Sequence, residues 1–167
     1  MDSKLLNLAL FEVVVSLITG VVILYMTYKF VKRVFGLTPD ALNTAFGIVV
    51  GAILFSVGLI VSSVIPPLLS TLRMLPGDFF VLLAKLSMYL VIFFVISTVI
   101  AYATNAIGIW LFTRLTRIDE LEELRRNNVA TALVTAAIVI VLALFVKDGV
   151  VLLLESIVPY PEMPSVR

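Results

Sequence analysis

The stretch 43–61 occurs twice in this chain. Shifting the numbering by 85 places Asn43, Ala45, Val49, Ala52, Ile53, Leu59 and Val61 on Asn128, Ala130, Val134, Ala137, Ile138, Leu144 and Val146 without change, 7 identities in 19 positions. Gly47, Gly51 and Gly58 of the first copy fall on Ala132, Ala136 and Ala143. Both copies are apolar runs long enough to cross a bilayer as helices. A period close to half the chain length constrains architecture more than any other feature, because each unit must bury its apolar face against the other or against lipid.

Composition narrows the setting. Of the 167 residues, 62% are hydrophobic, against about 45–50% in soluble domains, and the excess sits in long runs. One compact domain, 1–167, fits the length. The formal net charge of +1 leaves no dense basic face to neutralise phosphates, so nucleic acid is not expected as a partner. There is no Cys and no His. That excludes disulfides and thiol nucleophiles and removes the commonest general base and metal ligand.

Four spans follow, making an all-α polytopic membrane protein of two tandem helical hairpins: repeat 1 about 1–78 and repeat 2 about 79–158. Span one, 5–28, starts four residues from the N-terminus and is too long for a signal-peptide core, so it reads as a retained helix. Tyr25 and Tyr28, then Lys29, Lys32 and Arg33, give it an aromatic belt and a basic stop. Glu12, Ser16, Thr19, Gly20 and Thr27 form its polar stripe. Span two, 41–65, is announced by Thr38-Pro39-Asp40 as N-cap, first-turn proline and dipole-matched acid, and is expected to stop at Pro66-Pro67. Span three, 86–112, lies within a longer helical pattern beginning at Phe79. Its face Ser97, Ala101, Thr104, Asn105 and Gly108 falls on the polar stripe of span one under the same shift, and Trp110, Arg114 and Arg117 fall on Tyr25, Lys29 and Lys32. The repeat therefore covers a pair of helices. The charged run 119–126 is expected to lead as helix straight into span four, 129–146, which Lys147-Asp148-Gly149 should end. Segments 66–78 and 150–158 are read as short interfacial or re-entrant pieces, and the Pro-rich tail 159–167 as extended.

Basic residues orient the spans. Lys29, Lys32 and Arg33 follow span one, and Arg114, Arg117, Arg125 and Arg126 follow span three. The positive-inside rule puts both loops in the cytoplasm and both termini outside it.

Asn43-x-Ala45-x-Gly47 and Asn127-Asn128-x-Ala130-x-Ala132, each opening an even-numbered span, resemble the YjfL-type family of uncharacterised bacterial inner-membrane proteins. The resemblance extends over nearly the whole chain. It implies two tandem two-helix repeats, an acidic run before each Asn-Ala start, and a bacterial inner-membrane location; it brings no established activity. Asp119, Glu120, Glu122 and Glu123 fit that pattern before Asn128, whereas Asp40 alone precedes Asn43.

Glu12 is the sharpest functional candidate. An ionisable group inside a span costs about 2.5–3.5 kcal/mol on insertion scales and usually marks a pathway, although two turns from a helix start it can also reach headgroups. With Ser16, Thr19 and Asn105 it makes a candidate ion path; the ordinary alternative for Asn105 is an interhelical hydrogen bond. The repeat-related pair Asn43 and Asn128 either caps helices or lines a cytoplasmic mouth. Gly47, Gly51 and Gly58, with Ala132, Ala136 and Ala143, are expected to let spans two and four approach closely. Glu122, Glu123, Arg125 and Arg126 either dock a soluble cytoplasmic protein or are simply a solvated helix end. No catalytic set, cofactor or metal site is visible. Two functions fit: a homo-oligomer giving protons or small ions a path, and a membrane anchor or scaffold that recruits a soluble partner.

Overall fold

The computed structural model describes residues 3–36, 43–74, 79–116 and 119–158. Among them the regular elements are helices, with no strand: α1 Ser3–Val34, α2 Thr44–Val61, α3 Ile65–Met74, α4 Phe79–Thr116, α5 Glu120–Arg125 and α6 Val129–Glu155. Four helical stretches are long and apolar enough to cross a membrane: Val13–Val34, Thr44–Thr71, Ala84–Arg114 and Val129–Glu155. Their outer faces carry Leu17, Ile18, Val21, Met26, Val95, Val99, Leu133 and Phe145, all exposed. A water-soluble monomer does not display so continuous an apolar surface; a multi-pass membrane protein does.

The helices centre on α2, which packs most extensively on α6, while α4 lies against both and α1 lies against α2. Ala132, Ala136 and Ala143 of α6 are buried, as are Ala45, Val49, Ile53, Val57 and Ile60 of α2. α4 approaches α6 tightly at Gly108, where a Cβ would sit 3.0 Å from Leu142 Cδ1. The inward face of α4 is Ser97, Ala101, Thr104, Asn105 and Gly108, all buried. α1 is peripheral. Of its polar stripe, Thr27 is buried, and Ser16, Thr19 and Gly20 are half-buried.

Several expected boundaries are corrected. α2 does not run from residue 41. Asn43 has an extended backbone and its side chain accepts from the Phe46 N–H, so Asn43 is the N-cap. The proposed cap at Thr38 lies outside the described residues.

The helical path also continues past Pro66-Pro67. Neither proline can donate to a carbonyl four residues back, so the Ser62 and Ser63 carbonyls lose their α-helical donors. A 3₁₀ turn over Ser62–Val64 answers this, with the Ile65 N–H donating to the Ser62 carbonyl. The prolines then occupy the first turn of α3, where a missing N–H costs nothing. Thr71 Oγ1 donates to the Pro67 carbonyl at 2.8 Å. Part of segment 66–78 is therefore a helix stacked on the end of α2.

α6 likewise runs through Lys147-Asp148-Gly149 to Glu155. A glycine ends a helix by turning left-handed, and Gly149 does not; positive φ among the described glycines occurs at Gly36. Helical Gly costs about 1 kcal/mol. The buried Val150 and Leu154 that follow it join the hydrophobic core and offset that cost. Residues 150–158 are the last turns of α6 and its cap, not a separate piece. The tail 159–167 lies outside the described residues.

Candidate functional site

The densest polar construction joins the start of α2, α5 and the start of α6. α5 begins with Asp119 as N-cap, its carboxylate accepting from the Glu122 N–H at 3.2 Å. It ends at Arg126, after which Asn127 takes φ 59°. The Asn127 N–H donates to the Leu124 carbonyl and the Asn128 N–H to the Glu123 carbonyl. These are the paired bonds of a Schellman end, with Asn in the left-handed position that glycine usually fills. The charged run thus does not lead unbroken into α6. It turns at Asn127, and Asn128 restarts the chain as N-cap of α6, accepting from the Thr131 N–H at 3.3 Å.

Asn43 and Asn127 then exchange bonds across the bundle. Asn43 Oδ1 accepts from the Phe46 N–H at 2.9 Å while its Nδ2 donates to the Leu124 carbonyl at 2.7 Å. Asn127 Oδ1 accepts from the Ala45 N–H at 3.0 Å. Free N–H groups at the start of α2 therefore find acceptors in the two amides, and the Leu124 carbonyl, already bonded to the Asn127 N–H, takes a second donor from Asn43. Asn128 Nδ2 donates to Glu123 Oε2 at 2.6 Å. The Leu124 side chain is buried beneath. Asn43 and Asn128 are thus both helix caps. Asn127, quoted in the sequence motif but given no role, is the residue that joins them. Its signal was an Asn between a charged helix and an apolar run, since Asn is the non-glycine residue that most readily turns left-handed.

The docking candidates divide. Arg125 and Arg126 are exposed, and Arg126 Nε pairs with Glu122 Oε1 at 3.1 Å, an i,i+4 pair worth about 0.3–0.5 kcal/mol. Glu123 is committed to Asn128.

Among the described residues, the path candidates Ser16, Thr19 and Asn105 do not converge. Glu12 lies on α1, but its side chain lies outside the described residues. Ser16 lines a cleft of about 180 Å³ with Gly20, Gly58 and Ser62. Thr19 Oγ1 donates to its own helix, to the Val15 carbonyl at 2.7 Å. Asn105 lines a separate cavity, and its Nδ2 donates to Ser56 Oγ of α2 at 3.0 Å and to the Ala101 carbonyl at 2.7 Å. The glycines of α2 are also misplaced by the sequence reading. Gly47 and Gly51 are exposed and Gly58 half-buried, and a Cβ on any of them would meet nothing within 4 Å. The buried face of α6 carries Ala132, Ala136 and Ala143 and that of α2 carries Ala45, Val49 and Ile53, while Gly47 and Gly51 lie on the exposed side of α2 and Gly58 borders the cleft with α1. Among the described residues, no three His, Cys, Asp or Glu gather as a metal site would require.

Residues 81–158, from the first turn of α4 to the end of α6, match the family model DUF350, Domain of Unknown Function. An uncharacterised family is thereby supported for the second hairpin. Comparison with curated proteins and with solved structures gives no match. The DUF350 segment contains α5, Asn127, Asn128 and Asn105, and so one half of the amide exchange; Asn43 and Ala45 stand outside it.

Proposed function

We propose that the protein is a non-enzymatic inner-membrane protein of bacterial type, built from two tandem DUF350-like hairpins, that works as a homo-oligomer and gives protons or small ions a path between copies. The 85-residue offset carries the matched segment back onto the chain as far as residue 73, which is why the first hairpin reads as a diverged copy and why the YjfL-type pattern extends beyond the match. With the basic end in the cytoplasm, α5 faces the cell interior and both termini lie outside.

The observation that carries the reading is where polar and small groups point. Inside one chain the hydroxyls are occupied: Thr71, Ser97, Thr104 and Thr135 each donate to the carbonyl four residues back. These hydroxyl protons are held within their own helices, so among the described residues the interior offers no chain of hydroxyls bonded one to the next along which a proton could pass. The outward Gly47 and Gly51, in contrast, leave room for a helix of another copy to approach α2 closely, and a path between copies can then be lined by α1 with Glu12. The deciding experiment is proton and monovalent-cation flux in proteoliposomes, wild type beside Glu12→Gln. Flux lost in a folded Glu12→Gln protein supports the path; no flux from wild type across several ions and both voltage signs overturns it.

A second reading is favoured by α5 itself. Both its ends are fixed by caps and amide bonds, yet Glu122, Arg125 and Arg126 remain exposed. A rigid charged helix at the basic end suits recruitment of a soluble partner by a membrane scaffold. Charge reversal at Arg125 and Arg126, followed by co-purification, tests it.

A further inference from the structure

Between α1, α2 and α4 lies a cavity of about 170 Å³ whose lining includes Thr27, Phe30, Val34, Tyr102, Asn105 and Ala106. Its two ends differ. Phe30 and Val34 are exposed on the lipid side, whereas Thr27, Ile53 and Asn105 are buried. Phe30 and Tyr102 stack as one aromatic wall, their centroids 5.1 Å apart and their planes 5° from parallel. The Thr27 and Tyr102 hydroxyls are 3.1 Å apart and share one hydrogen bond.

Asn105 does not close this account. It is 5% exposed, and its Oδ1 has no hydrogen-bond partner. Flipping the amide does not help. Nδ2 already donates to Ser56 Oγ and to the Ala101 carbonyl, and exchanging the atoms would set Oδ1 against the Ala101 oxygen. A buried acceptor left empty costs about 1–3 kcal/mol, so the site calls for a donor. A water molecule could donate to Oδ1 and reach the Thr27 and Tyr102 hydroxyls as its two to four partners, but it leaves the apolar wall of Phe30, Val31, Ile53 and Ile109 uncovered. A molecule with one hydroxyl on an apolar body matches both. An apolar cavity of about 150 Å³ accommodates a benzene ring, which sets the size.

We propose that this cavity is a binding site for a membrane-dissolved phenol-type molecule, its ring against Phe30 and Tyr102 and its hydroxyl donating to Asn105 Oδ1. The molecule enters laterally from the bilayer past Phe30 and Val34. Oδ1 is sealed from solvent in the empty cavity, and the broad terminal torsion of an Asn side chain lets it tilt to meet the donor. The ring can belong to a small free phenol or to the head of a long-tailed phenolic lipid, which share this chemistry.

The test uses the full chain in lipid nanodiscs with 4-ethylphenol and ethylbenzene, which differ by the hydroxyl, read by saturation-transfer NMR and by thermal unfolding. Wild type should bind 4-ethylphenol saturably and about tenfold more tightly than ethylbenzene, as one hydrogen bond to an otherwise unpaired acceptor implies. Asn105→Leu should bring the two affinities together. Ala106→Phe, at a cavity position exposed on its outer side, should weaken both. Equal wild-type affinities, no saturable binding, or binding indifferent to Ala106→Phe would overturn the site, and the wild-type comparison stands even if a variant fails to fold. With the site established, 4-nonylphenol identifies the source. Tighter binding than 4-ethylphenol, after correction for partitioning into lipid, assigns a tailed lipid; equal binding assigns a free phenol.

Discussion

Asn43 carries more than a cap. Its Oδ1 serves the start of α2 and its Nδ2 the end of α5, so Asn43→Ala removes bonds from two helices at once. Loss of an Asn cap costs about 0.5–2 kcal/mol, and the Leu124 carbonyl is left short of a partner. Asn127→Ala removes the acceptor for the Ala45 N–H and leaves a Cβ residue at φ 59°. Asn127→Gly removes the same acceptor but suits the backbone better, so it should be the milder change by about 1 kcal/mol. Each substitution should loosen α5 and speed trypsin cleavage after Arg125 and Arg126, with Asn127→Ala cleaved faster than Asn127→Gly. The effects of Asn43→Ala and Asn127→Ala should not add, because both residues serve one junction. Additive cleavage rates would mean two independent caps. This junction was half legible in the sequence. Asn at the start of an apolar run is a cap by ordinary propensity, but the exchange with a loop 82 residues away is tertiary, and no local pattern carries it.

At the scale of the helix, small residues repeating every three or four positions identify a face without saying what it faces. That is why the count and order of the spans were legible, while the partner of the Gly47–Gly58 face was not. The same ambiguity hid the ends of the helices. Pro-Pro after an apolar run reads equally as a stop or as the first turn of a new helix, and Lys-Asp-Gly ends a helix only when the glycine turns left-handed. In each case the packing of the following residues, Leu68 and Thr71 in one and Val150 and Leu154 in the other, decides. Two glycine substitutions separate the faces. Gly108→Val places methyl groups where Leu142 Cδ1 is already 3.0 Å from a Cβ, and should destabilise the α4–α6 contact by about 1–3 kcal/mol as an overpacked site does, lowering the unfolding midpoint of the monomer. Gly51→Leu meets open space and should leave that midpoint unchanged. If another copy sits on α2, Gly51→Leu should instead shift the size-exclusion profile of the purified protein to smaller species. An unchanged profile would remove the glycine face from the oligomer contact.

Taken whole, the molecule offers two candidate surfaces for the proposed functions: an apolar girdle in which α1 carries Glu12, and a charged end where α5 is clamped. The permeation and scaffold readings assign function to one or the other, and the two surfaces can be altered independently because no described bond connects them. Glu12→Gln keeps size and removes ionisation; Arg125→Glu with Arg126→Glu replaces the exposed positive charge at the end of α5 with negative charge and breaks one surface ion pair, at little cost to the fold. If ions pass between copies, the first change should abolish flux in proteoliposomes, a loss of at least tenfold, while the reversed-charge protein retains it. If the protein recruits a soluble partner, the second change should eliminate co-purification and the first should leave it intact. The crossed result, with flux following α5 and partner capture following Glu12, is compatible with neither reading and would require α1 and α5 to be coupled through the bundle. The Phe30–Tyr102 contact between α1 and α4 would then be the first link to break, by Tyr102→Ala, in search of that coupling.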